Sequence, residues 1–226
     1  GRGPFAENYT RRGIEWQAPG VSTIQYLARH GVMDTRPLLA HCVRVDERDV
    51  ETMRDAGAGV AHCPKSNAKL GHGHAPFSAF LKTGLRVGIG SDSVASNNLC
   101  DLLEEARSAA LFARAFDASP NTVGRLGARK VLRAATLGGA QALWMDNKVG
   151  ALAEGFQADL AVVSLGGAHQ RPVYDPADAL VFASSGRDVL LTMVAGKEVY
   201  SGGRVLTVDE EDLRARVEEI GRKLRS

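Results

Sequence analysis

Short apolar runs alternate with helix-like segments over the first part of the chain. The runs at residues 38–42, 59–64 and 86–91 have the length and composition of buried strands. Asp46 and Asp49 have capping-box spacing and predict a helix that stops near Gly57. A second helix is predicted at residues 76–82, between two strands, and apolar residues at helical spacing predict a third at 99–115. Strands that alternate with helices predict a parallel sheet with right-handed connections.

The pattern changes after residue 150. Runs of β-forming residues at 159–164, 179–183 and 189–200 are separated by Gly, Pro, Asp and Ser, which predicts strands and turns. Thr207 and Glu210 predict a capping box for a C-terminal helix. The apolar stripe of that helix, which we expect to dock on the chain's own body, comprises Leu213, Val217, Ile220 and Leu224. Residues 1–20 have no clear period and predict a long loop. The sequence thus predicts a main domain at 1–150 and a smaller unit at 151–226.

Composition and charge limit the kinds of molecule that the protein is expected to bind. The chain has 226 residues, 44% of them hydrophobic, and its 28 basic and 26 acidic residues are scattered. A net charge of +2 without charged blocks argues against nucleic acid or an anionic membrane as a partner. No apolar run approaches the roughly 20 residues of a membrane helix, and we expect a cytoplasmic protein. Three cysteines, Cys42, Cys63 and Cys100, predict reduced thiols rather than a disulfide framework.

Titratable side chains follow the predicted strands. Asp92 ends the third strand, after Gly88 and Gly90, and a carboxylate there must be hydrogen-bonded, paired or metal-bound to stay ionised. The alternative for Asp92 is a turn or helix cap. His41 ends the first strand and His62 the second, where either can also be a packing residue. Because α/β-barrel enzymes place their chemistry at this end of the strands, we expect His41 and Asp92 to be catalytic.

Loop residues near the same strand ends are candidates for substrate contact. His72 and His74 lie two apart in a glycine-rich loop, which fixes no ligand geometry, so an exposed or substrate-contacting role is favoured over a metal pair. Asn67, Ser96 and Asn97 supply neutral donors and acceptors suited to a polar heterocycle. Turn formation is the alternative explanation for these three residues.

The motifs around these residues carry a resemblance to a known family. They are Ala-His-Cys-Val at 40–43, His-Cys-Pro-Lys-Ser-Asn-Ala-Lys-Leu-Gly at 62–71 and Gly-Ser-Asp-Ser-Val-Ala-Ser-Asn-Asn at 90–98. Together they resemble the second half of the amidohydrolase superfamily, in the branch that contains chlorotriazine hydrolases and the deaminases of S-adenosylhomocysteine, methylthioadenosine and guanine. Segments 135–143, 150–160 and 188–197 are also similar, so the resemblance runs from about residue 20 to the C-terminus.

The resemblance implies an α/β fold: the second half of a (β/α)8 TIM-type barrel, followed by a small β-sandwich segment and a C-terminal helix. It also implies one divalent metal, usually zinc. Asp92 matches the metal-ligating aspartate of the eighth strand, and His41 matches a sixth-strand histidine beside the reacting carbon. The loops with Asn67, Ser96 and Asn97 match positions that line the pocket.

This chain lacks several of the metal-binding and catalytic residues that the resemblance leads us to expect. It has no counterpart of the first-strand His-x-His pair or of the fifth-strand His with its nearby Glu, and Ser93 stands where glycine is common. We therefore expect the chain to start just after the fifth strand, with the remaining metal ligands outside it. By itself it is expected to be inactive.

The resemblance implies a metal-dependent hydrolase of carbon–nitrogen bonds other than peptide bonds, which deaminates a small heterocyclic substrate. Ring dechlorination and cyclic amide hydrolysis by the same site are alternatives. A further alternative is a catalytically incomplete half-barrel that serves as a subunit or scaffold. Because a half-barrel leaves strand edges unpaired, we expect a homo-oligomer or pairing with the missing N-terminal half.

Overall fold

The first sheet has three parallel strands in chain order. The computed structural model describes residues 3–116 and 126–225. Within them, β1 (Leu38–Ala40), β2 (Gly59–His62) and β3 (Arg86–Ile89) lie side by side. All three predicted strands are confirmed, each ending two residues earlier than predicted. Because the strands are parallel, their carboxyl ends meet at one edge of the sheet.

Helices connect and cover these strands. Asp46 and Asp49 form the predicted capping box, with Asp49 N–H donating to Asp46 Oδ1 at 2.8 Å and Asp46 N–H donating to Asp49 Oδ2 at 3.3 Å. The helix predicted at 99–115 begins at Leu102, because the Asp101 carboxylate caps it through the Leu103 N–H at 2.9 Å. In the described residues the helices are α1 (Pro4–Arg11), α2 (Thr23–Arg29), α3 (Glu47–Asp55), α4 (Pro64–Lys69), α5 (Phe77–Thr83), α6 (Val94–Asn97), α7 (Leu102–Phe116), α8 (Ala128–Arg133), α9 (Gly139–Ala142), α10 (Pro176–Asp178) and α11 (Glu210–Lys223).

The predicted N-terminal loop is partly helical. Residues 4–11 form α1, so the prediction of a loop throughout residues 1–20 is wrong for this stretch. Proline at the start of the helix fixes a helical φ, Glu7 lies in its first turn and Arg11 in its last. These end preferences stabilise a short helix without a long apolar period.

A helical segment packs directly onto the sheet. A π-helical turn, Ala134–Gly138, joins α8 to α9. A Cβ atom on Gly88 of β3 would lie 2.6 Å from the Cα atom of Gly139, so the two backbones approach more closely than any side chain would allow. Core residues on both sides include Val60, Val87, Phe77, Phe80, Val131 and Val181. The glycine therefore sets the distance between the sheet and this helical segment.

The second sheet is antiparallel and follows residue 150. It contains β4 (Leu160–Val163), β5 (Val189–Val194), β6 (Lys197–Ser201) and β7 (Arg204–Val205) in that order. The predicted strand at 189–200 is two strands, because Ala195 and Gly196 adopt φ of 49° and 80° and turn the chain between them. The first predicted strand of this region, at 159–164, is confirmed as β4.

The predicted strand at 179–183 is wrong. These residues form a π-helical turn, Ala179–Ala183, that continues α10. Asp175 caps α10 by accepting the Ala177 N–H at 2.8 Å, and Pro176 occupies the first helical position. Val181 of this turn belongs to the same hydrophobic core as the parallel sheet. Burial of Val181 against the core thus outweighs the β propensity of the sequence.

The C-terminal helix is confirmed, but two details of it are wrong. Asp209, not Thr207, is the N-cap, and its carboxylate accepts the N–H groups of Glu211 and Asp212. The apolar stripe does not dock on the described part of the chain: Leu213, Val217, Ile220 and Leu224 are 50–82% exposed.

These observations confirm an α/β fold with parallel strands and alternating helices. The half-barrel, the β-sandwich and the division at residue 150 stay predictions. In the described residues, no helix has the length and apolar character needed to cross a membrane.

Candidate active site at the strand ends

The backbone is strained where two of the parallel strands end. His41 and Cys42, after β1, have φ of 67° and 48°, and Asp92, after β3, has φ of 60°. Residues other than glycine rarely adopt this left-handed conformation, which costs about 1–3 kcal/mol and persists only where the surrounding structure imposes it. Such residues cluster at active sites, and here they coincide with both predicted catalytic residues.

Asp92 is held by three donors. Its Oδ2 atom accepts the hydroxyls of Ser66 at 2.6 Å and Ser96 at 2.7 Å, and its Oδ1 atom accepts the Ser93 N–H at 2.7 Å. The hydrogen bonds from Ser66 and Ser96, followed by that from Ser93, lower the pKa of Asp92 to about 2. Asp92 is therefore an ionised acceptor near neutral pH. Ser93, not Asp92, caps α6, so the cap alternative does not explain Asp92.

The His41 ring contacts Asn67 through one nitrogen and faces Asp92 with the other. Its Nδ1 atom lies 2.9 Å from Oδ1 of Asn67, and its Nε2 atom lies 3.8 Å from Oδ2 of Asp92. An amide oxygen only accepts hydrogen bonds, so Nδ1 carries a proton and Nε2 faces the carboxylate. The His41 side chain is 36% exposed and that of Asp92 28%, so both can be reached from solvent. The structure thus brings the two predicted catalytic residues together.

The predicted substrate-contacting residues occupy different surroundings. Asn67 is buried against His41, and Ser96 donates to Asp92. Asn97 is buried, and its Nδ2 atom donates to the Ser91 carbonyl at 2.6 Å and to Glu105 Oε1 at 2.5 Å. Substrate contact by these three residues stays a prediction.

His72 and His74 lie in an exposed loop between α4 and α5, as expected. The His74 ring stacks on Phe116, with centroids 4.4 Å apart. The described residues contain no group of three His, Cys, Asp or Glu side chains able to hold a metal ion. Substrate contact by His72 and His74 also stays a prediction.

The remaining strand-end groups are neutral. His62 is buried and stacked on Phe77 at 4.7 Å, and burial, helped by the charge of His41, lowers its pKa to about 3. Burial raises the pKa of Cys42 to about 12 and that of Cys63 to about 11. All three cysteines are free thiols, as predicted. His62, Cys42 and Cys63 therefore add no charge to the site.

Sequence reasoning missed Glu105 of α7. It is fully buried, and its carboxylate accepts Asn97 Nδ2 and, at 3.2 Å, the Lys65 N–H. The signal was present, because Glu105 lies one turn before Ala109 on the apolar face of the predicted helix. A carboxylate on such a face must have buried partners.

Asp92 has the charge and the free lone pair that a metal ligand needs. Its carboxylate is ionised, and Oδ1 accepts a single hydrogen bond, which leaves a lone pair for a cation. Three or four ligands are needed for a catalytic zinc, and the described residues do not provide them as one group. The described part of this chain can therefore supply one ligand of a zinc site, the carboxylate of Asp92.

A family model matches this chain over most of its length. Residues 6–199 match the model of the amidohydrolase family. The chain belongs to the amidohydrolase family. The resemblance seen in the strand-end motifs is therefore confirmed.

Two curated relatives of this chain share a name. The 5-methylthioadenosine/S-adenosylhomocysteine deaminase of Pelotomaculum thermopropionicum is 40% identical over 217 residues, which cover 95% of this chain and 49% of that enzyme. The enzyme of the same name from Pyrococcus abyssi is 38% identical over 192 residues, covering 85% of this chain and 44% of its own length. The chain thus spans about half the length of the curated relatives it matches.

Solved structures also match this chain over about half of their own length. An adenosine deaminase from Xanthomonas campestris with bound zinc superposes with a TM-score of 0.85 at 31% identity, covering 97% of this chain and 48% of that one. The zinc complex of atrazine chlorohydrolase from Arthrobacter aurescens TC1 superposes with a TM-score of 0.79 at 30% identity, covering 95% of this chain and 50% of that one. Both neighbours hold zinc.

Proposed function

We propose that the whole protein is a metal-dependent aminohydrolase that removes an amino group from a small heterocycle, of the adenosine type. The observation that carries the proposal is the His41–Asp92 pair, an ionised carboxylate and an imidazole 3.8 Å apart at the carboxyl ends of parallel strands. The names of the relatives, which are deaminases of nucleoside-like compounds, support this substrate class.

In this proposal Asp92 holds the metal and accepts a proton. A divalent metal, zinc in both structural neighbours, supplies Lewis acidity that lowers the pKa of water to near neutrality. Asp92 would hold the metal through the free lone pair of Oδ1, and its carboxylate would take the proton that the attacking water gives up. The hydroxyls of Ser66 and Ser96 keep the carboxylate ionised and fix its orientation.

His41 acts on the substrate side of the pair. Its Nδ1–H is bound to Asn67, so Nε2 is the atom left to meet the water or the reacting ring carbon. There it stabilises the charge that develops as water adds to the ring, and it steers the proton toward the leaving amine. Ammonia and the hydroxylated heterocycle are the products.

The experiment is a substrate panel on the whole protein loaded with zinc. Ammonia release is measured with methylthioadenosine, S-adenosylhomocysteine, adenosine and guanine, chloride release with a chlorotriazine, and ring opening with a cyclic amide. We expect ammonia release from an adenosine-type substrate and its loss in Asp92→Asn. Chloride release alone would favour ring dechlorination, and hydrolysis of a cyclic amide alone would favour a cyclic amidase.

The alternative, a non-catalytic role, predicts a different result in the substrate panel. If the protein is a subunit or scaffold, no member of the panel reacts. We further propose a cytoplasmic location. We also propose that this chain forms a homo-oligomer or pairs with an N-terminal half, and light scattering on the purified chain tests this association.

A further inference from the structure

Glu105 lies behind the candidate active site, on α7. It is fully buried, and its described hydrogen bonds go to Lys65 and Asn97, not to His41 or Asp92. Moving a carboxylate from water into the protein interior costs free energy, whereas burying an apolar side chain of similar size does not. The contacts that Glu105 makes must therefore offset this cost.

Both carboxylate oxygens of Glu105 accept a hydrogen bond. Oε1 accepts Asn97 Nδ2 at 2.5 Å, and Oε2 accepts the Lys65 backbone N–H at 3.2 Å. The same Asn97 Nδ2 atom also donates to the Ser91 carbonyl at 2.6 Å. Glu105 thus ties the start of α4 and the end of α6 to one point on α7, and Asn97 extends this link to the segment that follows β3.

Each residue tied to this point is the chain neighbour of a residue that forms the site. Lys65 precedes Ser66 and Asn97 follows Ser96, and these two serines donate to Asp92 Oδ2. Ser91 precedes Asp92 itself. A displacement of any of the three tied segments therefore moves either Asp92 or one of the hydroxyls that orient it.

The chemistry of the contacts requires a carboxylate. Both partners of Glu105 are N–H donors, so both of its oxygens must accept. Glutamine has the same shape, but its amide NH2 group would face one of these donors. One buried N–H would then lose its acceptor, at a cost comparable to a lost hydrogen bond.

We infer that Glu105 is a positioning residue that fixes the orientation of Asp92 through Lys65 and Asn97. The inference rests on the proposed function for its kinetic consequence, but not for its structural one. Burial raises the pKa of Glu105, and the hydrogen bonds from Asn97 and Lys65 oppose this rise.

The test compares Glu105→Gln with Glu104→Gln in the whole protein. Glu104 is the matched control, because it lies on the same helix and also contacts Lys65, through a partly exposed ion pair of 2.5 Å to Nζ. Crystal structures of both variants give the distances from Asp92 Oδ2 to the hydroxyls of Ser66 and Ser96. Steady-state kinetics, normalised to the folded fraction, give kcat and KM.

In Glu105→Gln we expect at least one of these two distances to lengthen beyond about 3.5 Å. We expect kcat to fall about tenfold to a hundredfold with KM nearly unchanged, because the substrate does not touch Glu105. In Glu104→Gln we expect both distances to persist and kcat to stay within about twofold, since Glu104 bonds only the Lys65 side chain in this partly exposed pair and not the backbone that positions Ser66.

Unchanged distances in Glu105→Gln would overturn the inference, as would a lower unfolding temperature with unchanged kcat per folded molecule. If Glu105→Gln does not fold, Asn97→Ala takes its place: a longer Ser96–Asp92 distance supports the inference and an unchanged one contradicts it. A whole protein without deaminase activity would refute the proposed function, while the crystallographic distances would still decide the role of Glu105.

Discussion

The Nε2 atom of His41 lies 3.8 Å from Oδ2 of Asp92, although the two residues end strands that flank β2 on opposite sides. The separation is too long for a direct hydrogen bond, so a third group can share the space between the two side chains. Left-handed backbone at both residues accompanies this arrangement.

The different roles of His41 and Asp92 predict different losses in the whole protein. We expect Asp92→Asn to abolish turnover and reduce metal content, because a neutral amide is a weaker ligand and a poor proton acceptor. We expect His41→Ala to lower kcat about 10²–10⁴-fold with most of the metal retained, as for loss of a general acid–base group. Kinetics and metal analysis by plasma emission measure both effects.

Asp55→Asn is the control for this pair of variants, since Asp55 is exposed and pairs with the neighbouring Arg54. It should retain activity and metal. Should His41→Ala lose the metal as completely as Asp92→Asn, His41 would have to be reassigned as a ligand.

Removal of a hydroxyl donor should raise the pKa of Asp92. Hydrogen bonds, first of all from Ser66, lower that pKa from 3.8 to about 2, so the ionised form stabilises the fold above pH 3.8 and this contribution is lost as the pH falls through 2. We expect Ser66→Ala to move the titration midpoint of Asp92 upward, measured by carboxyl-carbon NMR on the metal-free chain. The stability lost on acidification should shrink accordingly. Ser108→Ala, which removes a hydroxyl bound to the Glu104 carbonyl, is the control and should leave the midpoint in place.

The loop histidines should affect substrate binding rather than metal content. In the whole protein we expect the double variant His72→Ala/His74→Ala to raise KM about two- to tenfold, with a smaller change in kcat. Both residues are exposed in a glycine-containing loop, so they lack the rigid support that a metal site needs. Plasma emission should find unchanged metal, and its loss would restore the metal-pair interpretation. His30→Ala, another exposed histidine, is the control.

The close approach of the sheet and the helical segment should make Gly88 intolerant of a side chain. We expect Gly88→Ala to lower the free energy of unfolding by about 1–3 kcal/mol, because its Cβ would lie 2.6 Å from the Gly139 Cα. Gly221→Ala is the matched control: no atom lies within 4 Å of a Cβ there, and its place in α11 predicts a gain of about 0.5–1 kcal/mol. Urea unfolding measures both, and a Gly88→Ala variant as stable as the parent chain would contradict the packing described.

The sequence by itself determined the three strands of the first sheet, their parallel orientation and the polar residues that follow them. Strand identity follows from short apolar runs, and a chain of strand–helix repeats has few ways to form a sheet. His41 and Asp92 could be singled out because a polar group directly after a buried strand needs a partner. The motifs around them then sufficed to indicate the family.

Tertiary structure alone decided how those residues are held. Residues 179–183 have β propensity but form a helical turn, because burial of Val181 against the core outweighs a local preference. The stripe on α11 has the period of a docked helix, yet periodicity does not specify what, if anything, covers a face. Ser66, Ser96 and Glu105 act together only because α4, α6 and α7 converge on one point, and contacts between residues distant in sequence leave no local pattern from which to predict them.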